Sequence, residues 1–234
     1  MTTSHVWLQV NRVTATVCQQ ALAVSVADIH EAMSVGSPAP GLMSSRMRPL
    51  VRTHHAAGPA VTARCSAGDN LMMHRALSLA QRGDVLVVVC EDELSGAQWG
   101  DIAAQYAMTV GLAGVVVQGC IRDVVTLERM SFPVWSTAIS PVHPEKRGHG
   151  TVNAPVECAG AAVHPGDLVV GDGDGVVVIP RADAASVIDR AIARARREDE
   201  LAAAIRAGAA PWDLAGLAQH YAAIDVQEID AAWA

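Results

Sequence analysis

Apolar positions along the chain fall into two rhythms, short β-branched runs and longer stripes at helical spacing, and their alternation predicts an α/β protein. Gly83-Asp84-Val-Leu-Val-Val-Val89 and Gly114-Val-Val-Val-Gln118 are each introduced by glycine and bounded by polar residues, the pattern of buried strands. Between them, Trp99 to Val110 carries Ile102, Ala103, Tyr106, Ala107 and Val110 on one helical stripe and stops at Gly111, as a helix closed by a C-terminal glycine does. Gly166-Asp167-Leu-Val-Val-Gly171 and Gly175-Val-Val-Val-Ile179 repeat the strand pattern on either side of Asp172-Gly-Asp174, a hairpin turn. That pair is therefore antiparallel and the sheets are mixed.

The flanks follow the same logic. Ser25-Val-Ala-Asp28 before an apolar stripe opens a short helix near 25–34, and Gly36-Ser-Pro-Ala-Pro-Gly41 is a loop. Gly58 to Arg64 alternates as a strand, and Asp69 opens a helix to about Gln81. After Pro180 the chain turns strongly helical. Ala182 to Ala207 places Val187, Ile188, Ala191, Ile192 and Ala195 on one stripe, a long amphipathic helix. Its run Arg194-Ala-Arg-Arg-Glu-Asp-Glu200 is by default a solvated face. The tail from Trp212 to Ala234 is acidic and helix-prone, with Leu214, Leu217, Tyr221 and Ile224 at helical spacing. Contact with a neighbouring subunit is one use for such a stripe.

Composition narrows the function classes. The 234 residues read as a single domain, 1–234, with 210–234 as a helical C-terminal extension. Apolar residues at 51% and charged residues at 18% exclude a disordered or fibrous chain. The balance of 17 Lys+Arg against 24 Asp+Glu opposes a polyanionic partner, and aromatics at 3% remove the stacking platform of a single-strand reader. No nucleic-acid partner is expected. The cysteines Cys18, Cys65, Cys90, Cys120 and Cys158 are odd in number, widely spaced and without CxxC, so neither a disulfide framework nor a structural zinc site is signalled, and a reducing cytoplasm fits. No basic stretch followed by an apolar core opens the chain, and no segment reaches the about 18 uninterrupted apolar residues of a membrane span.

Two segments carry candidate chemistry. Gly119-Cys-Ile-Arg122-Asp123 follows a buried strand directly, and α/β proteins place ligands at the C-terminal ends of strands. An adjacent Arg and Asp act together when the carboxylate holds a hard divalent cation and the guanidinium clamps a carboxylate or a developing enolate oxygen. The plainer reading, which the pattern alone favours, makes Arg122 a surface residue and Asp123 the cap of a helix over Val124 to Met130. Gln98-Trp-Gly100-Asp101-Ile102-Ala103-Ala104 opens a helix with small residues, leaving backbone N–H groups free for an anion such as a substrate carboxylate. Asp101 either caps this helix or orders water beside the anion.

Other segments are less telling. His143-Pro-Glu-Lys146-Arg147-Gly-His149-Gly puts cations and glycines into an acidic chain, as suits a mobile loop recognising a polycarboxylate or simply a solvated basic loop. His54-His55, His30, His74, His164 and His220 lack metal-ligand spacing. Gly171-Asp-Gly-Asp-Gly175 lacks the further oxygen ligands of a calcium loop, and Cys90 and Cys120 read as inert core thiols.

Taken in order, Gly83-Asp84-Val-Leu-Val-Val, Trp99-Gly100-Asp101, Gly111-Leu-Ala-Gly114-Val-Val-Val-Gln-Gly119-Cys-Ile-Arg122-Asp123-Val, Phe132-Pro133-Val and Gly166 to Pro180 resemble the 4-hydroxy-4-methyl-2-oxoglutarate aldolase and RraA-like family. The resemblance runs from about residue 20 to 210. Thr151-Val-Asn-Ala-Pro-Val156 with Cys158-Ala-Gly160 looks closer to the aldolase branch, which includes 4-carboxy-4-hydroxy-2-oxoadipate aldolases, than to the ribonuclease-regulator branch. The resemblance implies an αββα sandwich with mixed sheets, of the swivelling-domain type, with a long C-terminal amphipathic helix, assembled as trimers or hexamers. It implies a class II pyruvate aldolase acting on a small oxo-acid. Asp123 would hold Mg²⁺ or Mn²⁺ partly through water, and Arg122 would contact the keto oxygen. The segment Gly100, Asp101, Ile102 and Ala103 would bind the pyruvyl carboxylate. Asp101 would order the proton-shuttling water together with Glu198 of a neighbouring subunit, Asp199 and Glu200 being the alternatives.

The chemistry agrees with the residues. Cleaving a carbon–carbon bond beta to a ketone leaves an enolate, which a cation stabilises without a Schiff-base lysine. Oxaloacetate decarboxylation yields the same enolate and is an expected side activity. Cys90-Glu91-Asp92-Glu93 departs from the family pattern of an aspartate and glycines and is expected at the pocket rim or in the outer shell of the metal. The competing readings are a non-catalytic inhibitor of an RNA-processing enzyme, and a decarboxylase of 3-oxo acids that keeps the metal site.

Overall fold

The computed structural model describes residues 3–33 and 41–233. The elements run β1 (His5–Val6), α1 (Ala15–Ala21), α2 (Val26–Met33), β2 (Arg48–Pro49), β3 (Ala56–Cys65), α3 (Leu71–Leu79), β4 (Val85–Cys90), β5 (Ala97–Trp99), α4 (Asp101–Val110), β6 (Gly114–Ile121), α5 (Val124–Met130), β7 (Val134–Ile139), β8 (Gly150–Val152), β9 (Val156–Cys158), β10 (Ala161–Val163), β11 (Leu168–Gly171), β12 (Val176–Ile179), α6 (Ala184–Arg206), α7 (Pro211–Leu214) and α8 (Leu217–Ala222). Positions 36–40 of the expected Pro/Gly loop lie outside the described residues. The chain divides into two units, residues 1–192 and residues 193–234.

The first unit is a mixed α/β sandwich. Its central strands β3, β4, β6 and β7 are parallel neighbours, with β8 antiparallel on the β3 side and β2 antiparallel on β7. Both faces of these strands are covered, which is why they read as unbroken β-branched runs. Leu86, Val88, Val115 and Val117 pack with Met73, Leu77, Ala104, Ala107 and Leu127 of α3, α4 and α5. Val85, Val87, Val89 and Val116, from the alternate positions, pack with Val156, Val163, Val169 and Val178 of the second strand layer. α2 closes that layer by packing on β12.

β3 joins the two layers. Its first half, Ala56 to Pro59, pairs antiparallel with β11, and its second half, Ala60 to Cys65, pairs parallel with β4. Pro59 stands at the changeover, where a missing N–H costs least. The β11–β12 hairpin forms as expected around Asp172, whose N–H donates to the Gly175 carbonyl. Gly111 closes α4 in the left-handed conformation at φ 86, also as expected. Two expectations are corrected. Trp99 belongs to a strand, because Ala97–Trp99 pairs with Cys120 and Ile121 of β6 before the helix begins, and three residues are too few to show a period. The tail of the second unit is two short helices rather than one long stripe. There Trp212 meets Tyr221 edge-on at 5.4 Å, and residues 223–233 lie outside any helix. None of the helices is long and apolar enough to cross a membrane, among the described residues.

One buried ion pair ties the N-terminal arm to the sheet. The fully buried Asp84 accepts from Arg12 Nε at 2.8 Å and Nη2 at 2.9 Å, and from the Gln81 N–H at 2.7 Å. Asp84→Ala is expected to lower unfolding free energy in urea by about 2–3 kcal/mol, less than for a fully buried pair because the Arg12 side chain stays 23% exposed. Burial pushes the Cys65 and Cys158 thiols up to about 12. A disulfide reagent at pH 8 should therefore leave both unlabelled in the native protein and label all five cysteines after denaturation.

Candidate active site

β5 runs directly into α4, and Gly100 occupies the joint in extended conformation. A Cβ there would sit 2.6 Å from Asp123 Oδ2 and 3.3 Å from Arg122 Cγ, so only glycine lets this loop touch the loop after β6. The Arg122 N–H donates to the Trp99 carbonyl at 3.0 Å and pins the two loops together. At the start of α4 the Asp101 N–H reaches Asp123 Oδ2 only at 3.4 Å, and the Ile102 N–H is taken by Asp101 Oδ1 at 2.7 Å. The Ala103 N–H finds no acceptor among the described residues. The positive end of the α4 dipole thus faces the cleft with the Ala103 N–H unpaired.

Asp123 does not cap α5. It occupies the cap position at φ 60 and ψ 32, a left-handed conformation that aspartate enters more readily than most residues. Its carbonyl accepts from Thr126 and Leu127, while its carboxylate makes no cap bond. The side chain turns instead toward Gly100 and Arg122, with Arg122 Nε 3.4 Å from Oδ2. The side-chain cap of the plainer reading is absent, while Arg122 stays half-exposed as that reading has it. For Asp101 it holds in part, since that carboxylate satisfies one helix N–H.

Gly100, Asp101, Ile102, Ala103 and Arg122 line one cleft of about 210 Å³ at the C-terminal ends of the parallel strands. Asp123 touches Gly100 and Arg122 but is not itself among the lining residues. Glu198 lies in the second unit, exposed on α6 and ion-paired with Arg194 at 2.7 Å. The described residues hold no group of three or more His, Cys, Asp or Glu side chains that would cage a metal.

The rest of the cleft lining was legible only in part, through the basic loop that carries Lys146. It includes Asn70, His74 and Lys146. The basic loop is anchored by backbone hydrogen bonds. Asp69 Oδ2 accepts from the Arg147 N–H at 2.6 Å and the Gly148 N–H at 2.7 Å, and Glu145 exchanges backbone bonds with Gly68 and Asn70. The acidic stretch after β4 is also occupied elsewhere. Glu91 pairs with Arg64, and Glu93 pairs with Arg46 and accepts from Gln118, so none of its carboxylates lines the cleft. Burial first, and then the Lys146 charge, hold the His74 imidazole below the ordinary histidine range.

A family model described as Aldolase/RraA matches residues 26–178, which takes in Gly100, Asp101, Arg122 and Asp123 but not Glu198. A protein of Halalkalibacterium halodurans, named "Putative 4-hydroxy-4-methyl-2-oxoglutarate aldolase", is 37% identical over 149 residues, 64% of this chain and 71% of that protein. The crystal structure of Streptomyces coelicolor RraAS2, described as an unusual member of the RNase ES inhibitor RraA protein family, superposes with a TM-score of 0.72 at 28% identity. It covers 81% of this chain and 96% of its own. A Pseudomonas syringae pv. tomato protein superposes with a TM-score of 0.76 at 26% identity, over 86% of this chain and 96% of its own.

Two measurements check this geometry. Gly100→Ala should displace the Asp123 carboxylate and cut any activity of the site by about 100-fold or more, the scale on which small misplacements act, with an unchanged circular dichroism spectrum. An NMR titration should show His74 taking up its proton below pH about 6.5. Because the unfolded chain binds that proton more tightly, acidification through this range should lower stability, and His74→Gln should remove part of the loss.

Proposed function

The chain belongs to the RraA-like family, and on that premise we propose that it is a divalent-metal-dependent aldolase releasing pyruvate from a 4-hydroxy-2-oxo di- or tricarboxylic acid. The substrates that suit it are 4-carboxy-4-hydroxy-2-oxoadipate and 4-hydroxy-4-methyl-2-oxoglutarate, with oxaloacetate decarboxylation as a side activity. The observation that carries this reading is the Asp123 carboxylate, withdrawn from helix capping and held beside Arg122 and the open N-terminus of α4.

The donor set suits a hard, largely hydrated cation. Mg²⁺ keeps several waters and takes one or two carboxylates together with substrate oxygens, and Asp123 offers one carboxylate outside any group of three or more His, Cys, Asp or Glu among the described residues. When bound, Mg²⁺ or Mn²⁺ supplies Lewis-acid stabilisation of charge developing on the keto oxygen. The Ala103 N–H holds the C1 carboxylate, joined by those of Asp101 and Ile102 when they give up their carboxylate partners, and Arg122 donates to the keto oxygen. Asp101 orders the water that removes the C4 hydroxyl proton. The C3–C4 bond then breaks, its electron pair forms the pyruvate enolate, and the same water network returns a proton to C3. A neighbouring copy in a trimer or hexamer brings Glu198 to this water. The RNA-processing inhibitors of the family stand as the second reading, favoured by the likeness to RraAS2, and such a role needs neither metal nor turnover.

Pyruvate release coupled to lactate dehydrogenase decides between them. The two hydroxy-oxo acids should release pyruvate with Mg²⁺ and none with EDTA. Asp123→Ala should lose about 1,000-fold or more in kcat/KM, the loss expected when a group acting in the transition state is removed, and melt within a few degrees of the wild type. Full activity in that variant, or no release by folded, metal-loaded protein, overturns the aldolase.

A further inference from the structure

The end of the parallel sheet opposite the candidate active site carries a second concavity, of about 430 Å³, a volume that suits a small ligand. It lies where Gly83 leads into β4 and where Gly111 and Ala113 lead into β6, beside the N-terminal arm and α1. Its walls are largely apolar, formed by Val13, Leu22, Ala57, Pro59 and Ala113, with the Cys18 thiol among them. Burial pushes that thiol up to about 11, so it is neutral at physiological pH. No carboxylate among the described residues lines the concavity, whereas two guanidiniums do. Arg12 is occupied, since its Nε and Nη2 donate to Asp84 and its Nη1 donates to the Val10 carbonyl at 3.3 Å. Arg82 is not. Its guanidinium has neither an ion pair nor a hydrogen bond among the described residues. It rests on Gly111, where an added Cβ would come within 2.8 Å of Nη1. The backbone around it is already paired, the Gly83 N–H with the Gly111 carbonyl at 2.9 Å and the Ala113 N–H with the Asp84 carbonyl at 2.8 Å. The Arg82 donors are thereby left for a ligand.

We infer that this concavity is a binding site for a small monocarboxylate with an apolar body, its carboxylate on Arg82 and its body against Val13, Leu22 and Pro59. The charge balance selects one carboxylate. Asp84 cancels Arg12, which leaves Arg82 as a single unmatched cation on the walls. A guanidinium presents two parallel N–H donors to a carboxylate, and apolar walls favour a hydrocarbon body. A second carboxylate on the ligand would find no second unmatched cation here and would lose its hydration without compensation. The hydroxy-oxo polyacids suited to the cleft are therefore not ligands of this site. The two places stand at opposite ends of α4, which runs from Gly100 at the cleft to Gly111 against Arg82. The inference needs neither a metal nor turnover, and so stands or falls independently of the aldolase.

Octanoate and its neutral counterpart octanamide test the site on the full chain. Calorimetry below the micellar range should find octanoate bound about fivefold more tightly, the scale of a partly exposed ion pair. Arg82→Gln should abolish that preference, Arg82→Lys should keep part of it, and high salt should narrow it. Leu22→Ser should weaken both probes and leave their ratio unchanged. Bound octanoate should also slow alkylation of Cys18, the one cysteine that is not fully buried, in proportion to occupancy. Equal binding of the two probes, an unchanged preference in Arg82→Gln, or Cys18 alkylation indifferent to octanoate overturns the site. Displacement of octanoate by pyruvate with Mg²⁺ would put the probe in the cleft and overturn the assignment. Sedimentation gives the remaining check. Leu22→Glu should leave the oligomeric state unchanged, and a smaller assembly in that variant would put a second copy of the chain in the concavity and overturn the small ligand.

Discussion

One strand hydrogen-bonded into two sheets fixes the architecture. β3 is ten residues long, pairs with β11 through its first half and with β4 through its second, and buries nine of those ten residues. A strand committed on both sides and both faces has no freedom of register, because a slip of one residue would exchange its two faces. The helical layer packs on one side of the sheet it enters, and the β9–β12 layer packs on the other. The C-terminal ends of β4 and β6 are thereby set at one rim, the place where a parallel sheet leaves room for a ligand.

At that rim the decisive contact is the approach of Gly100 to Asp123. It joins the end of β5 to the loop after β6 and turns a carboxylate away from the helix it precedes. The two halves of the proposed chemistry depend on it together. The same glycine that admits Asp123 also stands at the start of α4, whose Ala103 N–H is left unpaired for the proposed carboxylate contact. A site of this kind is assembled from backbone constraints, and its charged side chains stay partly solvated, which suits a hydrated cation better than a cage of ligands.

The cleft is asymmetric. One wall offers backbone donors and a guanidinium from the core of the matched family region, and the other offers an amide, an imidazole and the lone ammonium of the chain. The loop that carries Lys146 is itself fastened by Asp69.

The sequence by itself determined the local units. The β-branched runs of β4 and β6, the Gly111 stop of α4, the Asp172 hairpin and the Arg122–Asp123 pair are set by neighbours within a few residues, and short-range period and turn chemistry record them directly. Tertiary structure alone decided what those units face. The withdrawal of Asp123 from its cap depends on a glycine more than twenty positions earlier, and the fixing of the Lys146 loop depends on Asp69, 78 residues before Arg147. The three-residue β5 exists only because β6 lies alongside it, and Asn70 acquires an unsatisfied oxygen only when packing removes the water that would otherwise pair it. The physical reason is the same in each case. Periodicity reports which side of an element is buried, whereas a site is made by the direction of a few side chains from distant segments, and that direction is fixed only when the segments pack.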